Sequence, residues 1–330
     1  VVLRRERVEL PDGDFVDLDW AEMGGQGGQD GTDGTGALSA SPVSSISSAP
    51  LVLVLHGLEG SARSKYALEL YRQLHRAGLD AVGLNFRSCS GVLNRAARLY
   101  HSGDTADLAF VVDLLRERFP NRRLGAAGFS LGGNVLLKYL AESADGRPQS
   151  SPVDPGRPGA AGGVGIAVAA AVSVPFDLSA GADRLERGFA RLYRRYLVTK
   201  LQRKVAAKAA LFGAGSAAAR ALAARTFREF DDAATAPLHG FRDAEDYYRR
   251  SSSGPLLSRI GVPTLLVHSL DDPFLPAGAV PADAARRNPV ITALFTERGG
   301  HVGFVSGPPW SPVFWAERQI AAFLATYLFG

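Results

Sequence analysis

Arg123-Leu124-Gly125-Ala126-Ala127-Gly128-Phe129-Ser130-Leu131-Gly132-Gly133-Asn134 is the run around which the chain turns. A short apolar segment, a glycine-bounded serine and a helical run ending in Asn134-Val135-Leu136-Leu137-Lys138-Tyr139-Leu140 follow without a gap. Gly128, Ser130 and Gly132 make the pattern Gly-x-Ser-x-Gly. That spacing suits a sharp strand-to-helix turn that pushes Ser130 Oγ outward, with glycines where a Cβ would clash. The backbone N–H of Leu131, at the helix start, then points to where an oxyanion would form. The five-residue pattern alone is common; the strand before it and the helix after it give it weight.

Working outward, the other pieces of a nucleophilic site appear in order. Leu51 to Leu55 is an unbroken apolar run, read as a buried strand, and it ends in His56-Gly57-Leu58-Glu59-Gly60. This small loop offers the Leu58 N–H as a second oxyanion donor. His56 reads as a loop anchor, since a base in this arrangement follows the serine and the acid in the chain. Downstream, Val164 to Val174 reads as a strand leaving through Pro175-Phe176-Asp177-Leu178, and Pro263 to His268 as another, leading into Ser269-Leu270-Asp271-Asp272-Pro273-Phe274. Ile291 to Phe295 is a third, followed by Gly299-Gly300-His301-Val302-Gly303-Phe304, whose two glycines let a loop swing an imidazole over the serine. The roles expected are Ser130 as nucleophile, His301 as proton acceptor and donor, and Asp272 as the carboxylate that fixes the His301 tautomer. Asp271 is the rival for the acid and Asp177 a more distant one.

The remaining elements are conventional. Residues 5–20 alternate around Pro11-Asp12-Gly13-Asp14, a hairpin signal, and residues 1–22 are too charged and alternating for a signal peptide. Helices are expected over 64–77, 105–119 (with Asp104 as N-cap) and 312–328, and a strand over Ala81 to Phe86. Residues 24–49 read as a flexible Gly/Ser/Thr/Asp-rich loop, and 143–160 as a Pro/Gly/Ser loop. From 178 to 253 the strand pattern stops and the chain reads as helical. A helical excursion between two strands of one sheet implies a cap over the carboxyl ends of the strands, where open α/β sheets place their sites. The expected fold is therefore α/β, a mostly parallel sheet with helices on both faces. Its core is 1–177 and 254–330, and its inserted cap is 178–253.

Composition excludes several alternatives. The 330 residues are 46% hydrophobic and 21% charged, with one cysteine, so no internal disulfide or multi-cysteine metal site can form. Cys89 reads as a packed thiol. The apolar run Ala160 to Val174 is Gly-rich and too short to span a membrane. Gly213-Ala214-Gly215 has no strand before it, which argues against a nucleotide site. No metal-ligand cluster is apparent among the six histidines, and no metal or organic cofactor is expected. His101 reads as structural. The net charge of +4 is uneven: residues 184–228 carry twelve Lys and Arg against Glu186 alone, a local +11 that leaves −7 elsewhere. No nucleic-acid module accompanies this basic segment.

The set HGLEG (56–60), NFRSCSG (85–91), YHSGDTADL (100–108), GFSLGGNVLLKYL (128–140), PFDL (175–178), FREFDDAATAPLHGFRDAEDYYRRSSS (227–253), DDPF (271–274) and GGHVGF (299–304) resembles the YheT-like branch of the α/β-hydrolases, a group related to eukaryotic α/β-hydrolase-domain lipases. The resemblance implies an α/β-hydrolase fold, a Ser130-Asp272-His301 triad and hydrolysis of carboxylic, lipid-like esters. Ser88 departs from it, since glycine is expected there. The leading expectation is a serine ester hydrolase working through an acyl-enzyme. The alternatives are an acyltransferase on the same triad and an inactive hydrolase fold that binds a ligand. In the cap, Leu185, Phe189, Leu192, Tyr193, Tyr196 and Leu197 fall on one helical face, opposite Arg184, Arg187, Arg191, Arg194 and Arg195. The preferred reading packs the apolar face on the core; the other lays a basic amphipathic helix on anionic lipid. A small acyl ester is the expected ligand, and the cytoplasm, with or without peripheral membrane contact, the expected location.

Overall fold

Gly13, at φ +78°, closes the first hairpin. Strands β1 (Val2–Glu9) and β2 (Phe15–Glu22) pair antiparallel on either side of it. The structure, a computed structural model, describes residues 1–23, 48–144, 164–212 and 216–330. The loops expected at 24–49 and 143–160 fall almost wholly outside these residues, and Gly213-Ala214-Gly215 falls outside them entirely.

Six further strands are β3 (Leu51–Leu55), β4 (Asp80–Asn85), β5 (Leu124–Phe129), β6 (Val168–Val172), β7 (Thr264–Ser269) and β8 (Ile291–Thr296). They run parallel to one another in a sheet ordered β1-β2-β4-β3-β5-β6-β7-β8, with β1 and β2 as its antiparallel edge. The helices are α1 (Lys65–Arg76), α2 (Ala106–Arg118), α3 (Leu131–Ala144), α4 (Leu178–Leu185), α5 (Ala190–Ala207), α6 (Ser216–Ala223), α7 (Phe227–Phe230), α8 (Ala236–Leu238), α9 (Ala244–Ser251), α10 (Ala282–Arg287) and α11 (Trp315–Phe329). Alternation along β3 sorts the two faces. Leu51, Leu53 and Leu55 pack with Leu108 and Val111 of α2 and Val135 of α3. Val52 and Val54 pack with Leu70 of α1 and Ile320 and Leu324 of α11. Both faces are covered, which is why β3 reads as a continuous apolar run.

A buried ionic knot ties the hairpin turn to the sheet. Arg87 donates from Nη1 to Asp12 (2.8 Å) and Asp14 (2.9 Å), and from Nε and Nη2 to Asp107 (2.7 Å each). Next to it Ser88 holds φ +62°, the left-handed region where glycine is favoured. Its Oγ, 2.5 Å from Asn94 Oδ1, also accepts the Asn94 N–H at 3.1 Å.

Three expectations are corrected. Asp104 does not cap α2: Thr105 stands at the N-cap, and Asp104 accepts from Arg98 Nη2 at 2.8 Å. A carboxylate at 3% exposure needs a charged partner more than a helix end does. The strand read over Val164 to Val174 is shorter, Val168–Val172, because Gly165 (φ +71°) and Ser173 (φ +51°) turn the chain at either side. The apolar face of the basic segment packs inward only at Leu185, which is buried, and at Leu197, which is partly buried against the same cluster. Gly188, at φ +54°, breaks the segment into α4 and α5. Ala190, Val198, Leu201 and Val205 then form the inward side of α5, and helical geometry leaves Phe189, Leu192, Tyr193 and Tyr196 exposed, at 76%, 58%, 46% and 57%. Arg194, expected among the solvent-facing arginines, is instead half-buried and paired with Glu186.

Between β6 and β7 every described element is helical. These helices share an apolar cluster that includes Val198, Leu201, Phe227, Phe230 and Tyr248.

Candidate active site

Ser130 sits between β5 and α3 at φ +50°, a strained conformation for a residue with a Cβ. Close packing holds it there. A Cβ on Gly128 would come within 2.5 Å of Gly132 O, and one on Gly132 within 2.5 Å of His56 O, so strand, turn and helix can approach only with glycine at both positions. The Ser130 N–H donates to Val172 O at 2.8 Å, and its side chain faces a cavity.

His301 arrives on the loop after β8. Its Nε2 lies 3.0 Å from Ser130 Oγ, and its Nδ1 lies 2.9 Å from Asp272 Oδ2 and 3.2 Å from Oδ1. Asp272 is buried on the turn after β7, where its Oδ1 also accepts the Phe274 N–H at 2.8 Å. The three side chains, 171 and 29 residues apart in sequence, form one chain of hydrogen bonds. Asp271, the rival acid, points elsewhere. Its Oδ1 accepts from Ser269 Oγ and from the Gly299 and Gly300 N–H groups at 3.0 and 2.8 Å. The Ser269 hydroxyl, then the Gly300 N–H, hold its carboxyl below the usual range. Asp177 caps α4 by accepting the Ala180 N–H at 2.9 Å. Phe274 stacks on His301, with ring centroids 4.1 Å apart and planes 17° apart.

The loop after β3 crosses close over the nucleophile: a Cβ on Gly57 would lie 3.3 Å from Ser130 Cβ. Tyr66 Oη takes the Gly57 N–H (2.8 Å) and Tyr100 Oη the Glu59 N–H (2.7 Å). The intervening Leu58 N–H, like that of Leu131, has no partner among the described residues, and both residues line the cavity. Lys204 of α5 donates to Glu59 Oε1 at 2.7 Å and lies 3.2 Å from Cys89 Sγ, so α5 grips this loop. Burial pushes the Cys89 thiol up to about 11, far from a thiolate at neutral pH. His56 Nδ1 donates to Gly57 O (2.7 Å), and its Nε2 accepts the Phe86 N–H (3.2 Å). Burial lowers its imidazole to about 4, and both nitrogens are occupied in shaping the loop.

The cavity, about 130 Å³, is lined by Ser130, His301 and Asp272 at one place and by apolar groups from the helical segment, among them Leu185, Leu201 and Phe227. Its lining also includes Asp231, which accepts from Thr235 Oγ1 (2.5 Å) and Tyr248 Oη (2.7 Å) and which burial raises to about 6. Asp231 and Phe274 lie in the stretches 227–253 and 271–274 that carry the family resemblance, but no role was read for either from the sequence. Tertiary folding also gathers His101, Asp104 and His239, whose ligand atoms lie within 4.8 Å of one another, a cluster that the sequence did not reveal. Asp104 is already neutralised by Arg98, and the His101 Nδ1 accepts the Gly103 N–H at 3.1 Å.

A serine on a strained elbow, beside an imidazole and a carboxylate at the carboxyl ends of parallel strands, defines the class: the α/β-hydrolase enzymes, of the esterase and lipase kind. A family model described as alpha/beta hydrolase fold matches residues 50–308. YheT of Escherichia coli, to which an esterase activity is ascribed, is 38% identical over 325 residues, covering 98% of this chain and 85% of that one. Human phospholipase ABHD3 is 30% identical over 308 residues, covering 93% and 68%. Among solved structures, an esterase of Pyrococcus furiosus is similar in fold, with TM-score 0.59 at 17% identity over 99% of this chain and 91% of that one. The chain belongs to the α/β-hydrolase family, in its YheT-like branch.

Proposed function

We propose that this chain hydrolyses carboxylic esters of lipid-like acids through a covalent acyl-enzyme. The observation that carries the reading is the continuous relay from Ser130 Oγ through His301 to Asp272, at 3.0 and 2.9 Å, opening into an apolar cavity. Ser130 attacks the acyl carbon while His301 Nε2 takes its proton. Asp272 holds His301 as the Nδ1–H tautomer and stabilises the imidazolium. The Leu58 and Leu131 N–H groups receive the oxyanion, each worth roughly 3–4 kcal/mol in the transition state. His301 returns the proton to the leaving alcohol. Water then attacks the acyl carbon as it loses a proton to His301, and His301 passes that proton to Ser130 Oγ as the acyl–Oγ bond breaks and the acid leaves.

Residues 178–253 act as a cap that supplies the acyl-binding wall. The phospholipase name of the human relative supports a lipid ester as substrate. The exposed Phe189, Leu192, Tyr193 and Tyr196, flanked by Arg191 and Arg195, support docking of this cap on an anionic lipid surface. Tyr193 packs on Phe274 at 5.1 Å, which stacks on His301, so the docking face runs directly to the site.

The test is hydrolysis of p-nitrophenyl esters from acetate to palmitate, with labelling by a fluorophosphonate probe. The wild type turns over and is labelled, and Ser130→Ala does neither. Turnover that survives in Ser130→Ala would sink the reading.

A further inference from the structure

β7 carries a second histidine directly behind the carboxylate of the site. His268 is fully buried, and neither of its ring nitrogens has a hydrogen-bond partner among the described residues. Its Nε2 lies 3.9 Å from Asp272 Oδ2, on a ring that packs against Phe176 at 5.6 Å. An unpartnered buried imidazole is costly, and an apolar side chain would fill the same place on a strand without that cost. The groups of Asp272 are unequally served. Oδ1 accepts from Phe274 N–H and His301 Nδ1, whereas Oδ2 accepts from His301 alone.

We propose that His268 is a positioning residue for Asp272, its neutral Nε2–H closing onto Oδ2 when the carboxylate has to hold an imidazolium on its other side. The inference rests on the triad reading above. A neutral donor at Oδ2 favours the ionised carboxylate and fixes its plane, and it does so without competing for His301 as a cation would. His268 gives up no proton: the serine proton travels to His301 Nε2 and back, and the 3.9 Å gap between His268 Nε2 and Asp272 Oδ2 only closes to a hydrogen bond. Burial first of all, opposed by Asp272 and aided by His301, lowers the His268 imidazole to about 4, which keeps it neutral where the reaction runs.

The experiment compares wild type, His268→Phe, His268→Gln and Ser130→Ala by kcat, KM and the pH profile of kcat/KM on p-nitrophenyl butyrate. His268→Phe is expected to lose about tenfold in kcat, the size of one hydrogen bond to a charged group, with KM little changed. Its acid limb moves to higher pH, because a carboxylate deprived of a donor holds the His301 imidazolium more tightly. His268→Gln, which presents an amide N–H near the Nε2 position, recovers most of kcat and the wild-type limb. A phenylalanine variant with wild-type kcat and limb, or a glutamine variant as impaired as the phenylalanine one, overturns the proposal. Should the phenylalanine variant fail to fold, His268→Asn decides: its N–H cannot reach Oδ2, so a wild-type profile in that variant overturns the proposal equally. An unlabelled, inactive wild type would instead sink the triad reading, which separates the two failures.

Discussion

Asp271 and Asp272 are neighbours in the chain with opposite surroundings. Asp272 is buried against His301, whereas Asp271 is exposed and ties the start of the histidine loop through Ser269, Gly299 and Gly300. Replacing Asp272 by Asn is expected to lower kcat by about 10⁴-fold, because the amide would stabilise the wrong His301 tautomer. Replacing Asp271 by Ala loosens only the approach of the imidazole and should cost roughly 10- to 100-fold. Steady-state kcat on one soluble ester separates them, and equal losses would refute this division of work. Ser130, His301 and a carboxylate after β7 were legible in the sequence, because each follows a strand in the order that this site requires. The choice between adjacent aspartates was not legible, since the turn geometry alone decides which of two side chains points inward. Neither the stacking of Phe274 on His301 nor the place of His268 had any sequence signal, because both depend on contacts between separate loops.

At the scale of elements, α5 and α11 show how packing overrides pattern. The two opposed faces expected over 184–197 do not form: Leu185 and Leu197 pack inward, while Phe189, Leu192, Tyr193 and Tyr196 are exposed together with Arg191 and Arg195. The longer stretch Val198, Leu201, Val205 sets which side of α5 is buried, and the earlier apolar residues are turned outward by helical geometry. Helix α11 carries a different cost. Glu317 is buried, and burial, with the Glu69 carboxylate adding to it, pushes its carboxyl up to about 7. The folded form therefore binds a proton that the unfolded chain releases near the ordinary pKa of about 4.3. Stability falls as pH rises from there through 7, and above 7 the ionised group costs about 3 kcal/mol. Glu317→Gln should thus raise the melting temperature at pH 8 and leave it nearly unchanged at pH 4. A stabilisation that is the same at both pH values would count against a buried ionisation.

For the whole molecule, the cavity and the exposed apolar side chains of Phe189 and α5 make a joint prediction. At about 130 Å³ the cavity is close in size to a 150 Å³ site that takes benzene, room for a short acyl group. Short p-nitrophenyl esters should therefore be turned over equally well with or without vesicles. Palmitate should be cleaved markedly faster on anionic vesicles, where docking of α5 opens the way for the chain, and Leu192→Ser with Tyr196→Ser should abolish that gain alone. Turnover of palmitate indifferent to vesicle charge would remove the lipid-surface role. Among the described residues no helix is long and apolar enough to cross a membrane.

The order of strands and helices, the elbow at Ser130 and the residue types of the site were determined by the sequence, because hydrophobic periodicity and glycine sterics act locally and leave local marks. Tertiary structure alone decided which carboxylate meets His301, which way α5 faces and that His268 backs Asp272. Each of these is a meeting of side chains from elements far apart in the chain. Such a meeting is set by the packing of the sheet and its loops, and no spacing along the sequence encodes it.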